Sequence, residues 1–171
     1  MMKNKWPGVF AIAALLACSA VPLAGCQRAS QAASEPQTIV FACPYGSAKS
    51  VVAARFFNRM AAERGLPYRA VARGITPERT IPSYVREPIR TDGFEIGVDE
   101  KPVALTDVEI RGAAAVVCIK CQLSGAQSSM TRQSLAWTDV PDVDAGYAAA
   151  RDKIVAHLNE FVSRLPTKPG S

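Results

Sequence analysis

The sequence predicts a three-layer α/β sandwich on a mostly parallel sheet, and three stretches carry that expectation. Residues 38–65 read as strand, tight loop and amphipathic helix in succession. Residues 113–119 (AAAVVCI) are an unbroken apolar run, the pattern of a central parallel strand covered on both faces. From Tyr147 onward, Ile154, Val155, Leu158, Phe161, Val162 and Leu165 recur at helical spacing. Strands alternating with helices place a sheet between helical layers, with its site at the carboxyl ends of the strands.

The front of the chain is different in kind. Lys3 and Lys5 precede an almost wholly apolar, alanine-rich run reaching Leu23, the pattern of a signal peptide over residues 1–25. It ends in Leu23-Ala24-Gly25-Cys26, which resembles a bacterial lipobox and implies that Cys26 becomes the lipidated first residue. Residues 26–36 are polar and rich in alanine and serine, as expected of a flexible tether. Gln27 after the cysteine implies, by the sorting habits of such lipoproteins, an outer-membrane anchor facing the periplasm. The membrane is then a partner through lipid alone, in the bacterial cell envelope.

The 171 residues leave room for one ordinary domain with a real core, expected over residues 37–165. Contents of 49% apolar and 20% charged are globular values. Without Lys3 and Lys5, 18 basic side chains face 15 acidic ones, a net charge of +3. That mild surplus, with no long basic run, is not a nucleic-acid footprint.

In order, Thr38, Ile39, Val40 and Phe41 form a strand ending at Cys43, and Gly65 stops the first helix. Residues 66–72 suit a second strand. Pro77, Pro82 and Pro88 punctuate the next stretch, leaving room for at most a short helix between Pro82 and Ile89, then a turn at Asp92-Gly93. Residues 94–98 suit a short extended piece. Thr106 and Glu109 have the spacing of a capping box. Residues 125–137 read as polar loop, and residues 139–144 as an acidic lead into the last helix. Pro166 ends that helix, and residues 166–171 are expected to be disordered.

The loop after the first strand carries the chemistry. Cys43 is followed by Pro44, Tyr45, Gly46, Ser47 and Ala48, then Lys49 and Ser50 at the helix start. Loop amides and the first helical amides converge on one point, with the positive end of the helix dipole behind them. Residues Tyr45 to Ser50 are the candidate oxyanion cradle. A cysteine at its entrance and a cation at its exit favour a thiolate acting on an oxyanion. Cys43 as a small buried hydrophobe is the structural alternative.

Cys43, five residues, then Lys49-Ser50 resembles the loop of low-molecular-weight protein tyrosine phosphatases and their thioredoxin-coupled arsenate reductase relatives, which have cysteine, five residues, arginine and serine. Residues 60–66 resemble the end of that family's first helix. The resemblance spans residues 37–165 and is sharp around the loop. It implies a phosphatase-like fold, a phosphate- or arsenate-like anion as ligand, Cys43 as nucleophile and Ser50 as hydrogen-bond partner of its thiolate. The family's arginine is replaced by Lys49, a point charge without the planar fork that grips two oxygens. Pro44 removes one amide from the cradle.

The resemblance also implies a general acid in an Asp-Pro step before the last helix. Here Asp139-Val140-Pro141-Asp142 has one residue inserted, making Asp139 the candidate proton donor and Asp142 its substitute. Trp137 and Tyr45 are candidate walls for an aromatic substrate. Cys118 and Cys121 are redox candidates, either resolving a disulfide with Cys43 or forming a structural bridge in an oxidising compartment. The sole histidine, His157, lies beside an apolar stripe, so no metal or other cofactor is expected. Three functions remain open: a weakened thiolate phosphatase, an arsenate-reductase-like redox protein, and a non-catalytic scaffold for an envelope partner.

Overall fold

The computed structural model describes residues 35–167. The signal segment, the lipidation site Cys26, nearly all of the tether and residues 168–171 of the tail lie outside the described residues. The elements are β1 (Gln37–Cys43), α1 (Lys49–Glu63), β2 (Tyr68–Gly74), α2 (Ser83–Thr91), α3 (Asp107–Gly112), β3 (Ala115–Ile119), α4 (Gly125–Met130), β4 (Ser134–Trp137) and α5 (Tyr147–Ser163).

The four strands pair in the order β2-β1-β3-β4, and every pair is parallel. β1 and β3 take the centre because their residues are apolar on both faces; all of Ala115–Ile119 is buried. Ile39, Phe41 and Cys43 face a core shared with α1, α2 and α5. Val40 and Val116 face the opposite way, onto Ile110 of α3. Phe41 is the hub of the larger core, with ring centroids 5.6 Å from Phe57, 5.6 Å from Trp137 and 6.4 Å from Phe161. From β1 the chain crosses to β2 on one side, while β3 joins on the other. Chain reversal at that point opens a crevice at the carboxyl end of β1, beside Cys43.

Several boundaries differ from expectation for local reasons. β2 starts at Tyr68 rather than residue 66 because Gly65, at φ +61°, lets Leu66 N–H turn back to the Ala61 carbonyl. α2 runs through Pro88 to Thr91, giving up one helical hydrogen bond. The capping box at Thr106 and Glu109 forms as expected. Residues 94–98 join no strand, because guanidinium groups occupy the carbonyls that a ladder would use. Arg86 donates to Gly97 and Glu100 carbonyls at 3.0 Å each, and Arg55 grips the Glu100 carboxylate at 2.5 and 2.6 Å. Arg59 lies 3.6 Å above the Phe94 ring.

The stretch expected as loop over residues 125–137 holds both α4 and β4. A second capping box, Ser124 with Gln127, starts α4. β4 exists by pairing with β3, with Trp137 opposite Ile119. Along the far side of β2, the Asn58 side chain exchanges two hydrogen bonds with the Ala70 backbone, at 2.6 and 3.1 Å. Gly74 likewise donates to Val103 and accepts from Leu105.

Candidate functional site

β1 delivers Cys43 to the crevice, and the loop that follows is shaped by a second loop lying against it. Ile75, Thr76 and Glu78 N–H groups donate in turn to the carbonyls of Cys43, Pro44 and Tyr45, at 3.0, 2.8 and 3.0 Å. In a trans peptide the amide opposes its carbonyl. Drawing those carbonyls outward therefore aims the Tyr45 and Gly46 amides inward. Gly46 N–H does reach the Cys43 sulfur, at 3.2 Å. Pro44 leaves its place in this set without a donor.

Close contact between the two loops depends on two glycines. Gly46 sits at φ +67°, and a Cβ there would lie 2.6 Å from the Gly74 nitrogen. Gly74 reciprocates, since its Cβ would lie 2.9 Å from the Gly46 nitrogen. Ala48 caps α1 without a side-chain hydrogen bond, and no acid stands in the first turn. The helix's positive end is thus left open toward the loop.

Ser50 is wholly buried, with its hydroxyl 3.2 Å from the Cys43 sulfur. Against a thiolate the hydroxyl is the donor. Sulfur, Gly46 amide and Ser50 hydroxyl form one contact set, and Cys43 is itself only 3% exposed. Above it lies a cavity of about 530 Å³ lined by Tyr45, Ser47, Lys49 and others from the loop. Ser47 donates its hydroxyl to Glu78 at 2.5 Å.

Lys49 reaches Asp142 at 2.6 Å, and Lys120 stands 3.8 Å from the same carboxylate. Hydrogen bonding and charge from Lys49, then the charge of Lys120, hold the Asp142 carboxyl below its usual range. Asp139 stands outside the cavity. Its carboxylate is drawn onto α5 by Lys153 and His157, each at 2.7 Å, which lowers its pKa to about 2. Of the two acids expected to donate a proton, Asp142 is therefore the one at the cavity. Trp137 forms no wall either: it is 5% exposed, packs on Phe41 and stacks on His157.

Cys118 and Cys121 flank the carboxyl end of β3, and with Cys43 they are free thiols. Cys118 pairs with Ala42, next to Cys43, and the Cys121 thiol approaches the Ala42 carbonyl at 3.5 Å. The neighbouring Cys121 thiol holds the Cys118 pKa down, while Cys118 and burial push Cys121 up. Between them Lys120 turns at φ +52°, a conformation rare outside glycine, on its way to the cavity. The sequence reading missed Glu78, Tyr84, Lys120 and Asp144, all of which line the cavity. Only Lys120 carried a sequence signal, its position inside Cys-Ile-Lys-Cys at the end of an apolar strand.

No protein-family model and no curated protein sequence matches the chain. Solved structures do match its shape. The YwlE arginine phosphatase of Bacillus subtilis, in a mutant with a phosphorylated active-site serine, superposes with a TM-score of 0.65 at 17% identity, over 75% of this chain and 95% of that one. A low-molecular-weight protein tyrosine phosphatase from T. tengcongensis gives 0.61 at 16% identity, over 75% and 99%. The chain has the low-molecular-weight phosphatase fold. An arsenate reductase in the phosphate-binding state gives 0.64 at 12% identity, over 76% and 99%, so the same fold serves redox chemistry as well. Fold alone does not choose between those chemistries.

Proposed function

We propose that the chain is an envelope lipoprotein, anchored through Cys26, whose domain binds phosphate-like oxyanions over Cys43 and acts on phosphoryl esters through that thiolate. The observation that carries the reading is the contact set at one sulfur, a loop amide that donates to it and a fully buried serine hydroxyl within hydrogen-bond distance of it. In the reaction the Cys43 sulfur attacks phosphorus, forming a P–S bond as the ester P–O bond breaks. The leaving oxygen takes a proton from Asp142, and water then cleaves the P–S bond to release phosphate.

Lys49 is the cradle's cation, and it is committed to Asp142. An incoming dianion takes Lys49 over, which frees Asp142 to bind a proton and serve as the acid. Calorimetric titration with phosphate tests this. Lys49→Ala should weaken binding roughly ten- to a hundredfold, the worth of a hydrogen bond to a charged group. Lys49→Arg should tighten it by supplying a fork. No detectable binding by the wild type or either variant overturns the oxyanion reading.

A pH dependence follows from the same exchange. Lys49 depresses the Asp142 pKa; with an anion on Lys49 that help is withdrawn and the pKa rises. Binding then takes up a proton, so sulfate, which does not titrate in this range, should bind more tightly as pH falls from neutral toward the carboxylate range. Asp142→Asn should bind sulfate more tightly at neutral pH and lose the slope. An unchanged slope in that variant removes Asp142 from the gate.

The free thiols beside Ala42 favour a second reading, an arsenate reductase. Cys43 sulfur would bond to arsenate with loss of water. Cys121 or Cys118 would then attack Cys43, forming a disulfide as the two electrons leave with arsenite. An external dithiol would reduce the disulfide.

A further inference from the structure

The cavity contains more negative charge than an anion site needs. Lys49 and Lys120 face Glu78, Asp142 and Asp144, with the Cys43 sulfur beneath. The two lysines already converge on Asp142, and a bound dianion would claim both. Glu78 accepts a hydroxyl from Ser47, and Asp144 accepts the amide of Ala145; neither contact brings positive charge. Tyr84, 43% exposed, lies among these groups: burial first, then the fields of Glu78, Asp144 and Cys43, push its phenol pKa up. Tyr45, 57% exposed, lines the same cavity. Free phosphate would meet two uncompensated carboxylates on entering. A ligand that carries its own cation beside the oxyanion would find a countercharge in them and aromatic faces for its body.

We propose that this cavity selects phosphoryl groups carried on a cationic segment, a phosphorylated peptide flanked by lysine or arginine, with Glu78 and Asp144 as the selecting charges. The proposal rests on the oxyanion reading above and adds the substrate class. Asp142 holds the two lysines, while Glu78 and Asp144 remain for the flanks. Since both selecting groups are exposed, the preference is a matter of screened charge and falls with salt.

The test uses the full-length Cys43→Ser chain in detergent, so that binding is read without turnover. Calorimetry compares inorganic phosphate with two phosphotyrosine peptides that differ only in lysine or glutamate flanks. The lysine-flanked peptide should bind about tenfold more tightly at about 50 mM NaCl, and the difference should shrink to about twofold at about 500 mM. Glu78→Gln with Asp144→Asn should erase it; Asp144→Asn alone, away from the loop contact at Ser47, should remove part of it. Equal affinities, or a preference for glutamate flanks, with phosphate binding intact overturn this inference and leave the oxyanion site standing. If neither phosphate nor either peptide binds, the oxyanion reading fails and this inference with it.

Discussion

Gly46→Ala should abolish oxyanion binding, with phosphate affinity falling more than about a hundredfold. Two penalties coincide at that residue. A side chain at φ +67° costs roughly 1–2 kcal/mol in the left-handed region. Its Cβ would also fall 2.6 Å from the nitrogen and 2.8 Å from the Cα of Gly74, and 3.0 Å from the carbonyl carbon of Arg73. All three are backbone atoms, so no side chain can swing away. The loops must separate, and the inward aim of the Tyr45 and Gly46 amides is lost with their contact. Calorimetry with phosphate reads the effect on the site, and thermal unfolding reads the cost to the fold. Gly112→Ala is the control, since nothing lies within 4 Å of its Cβ position. Wild-type affinity in Gly46→Ala would mean that oxyanions bind somewhere other than this loop.

Cys43→Ser should lower aryl phosphate turnover by roughly a thousandfold or more, the scale seen when a nucleophile is removed, while phosphate still binds. Binding survives because the cradle is made of amides and Lys49, and turnover does not because a serine hydroxyl is a far weaker nucleophile than a thiolate. Arsenate separates the second reading. A Cys121→Ser or Cys118→Ser variant that loses dithiol-dependent arsenate reduction but keeps phosphate ester turnover assigns both chemistries to the site. If Cys43→Ser hydrolyses the ester as fast as the wild type, the sulfur is not the nucleophile. A wild-type chain that binds phosphate without turnover is a binding module.

The strand, loop and helix around Cys43 were legible because they are contiguous. Strand, loop and helix start follow one another along residues 38–50, although the aim of the loop amides also depends on the second loop at residues 75–78. The sheet was legible for a similar reason: residues 115–119 have no polar face to expose. The rest of the cavity was not legible. Glu78 and Asp144 come from separate loops and Tyr84 from the first turn of α2, and their meeting depends on how the whole sheet stacks. Asp139 and Asp142 are three residues apart, and Lys153 and His157 on a helix decide which one turns away. β4 is four residues long and owes its ladder to β3, so its own composition carried little of its fate.

The bonds along the far side of β2 have a consequence wherever two copies of the chain meet. An outermost strand with free amides and carbonyls is a template onto which a neighbouring copy can add a strand of its own. Here Asn58 already occupies Ala70, Arg73 covers the Ala72 carbonyl, and Val103 and Leu105 occupy Gly74. Most of that border is filled from within the chain, by one amide side chain, one guanidinium and a crossing loop. Copies crowded together would find no docking seam there, and the sheet's growth ends at four strands on that side.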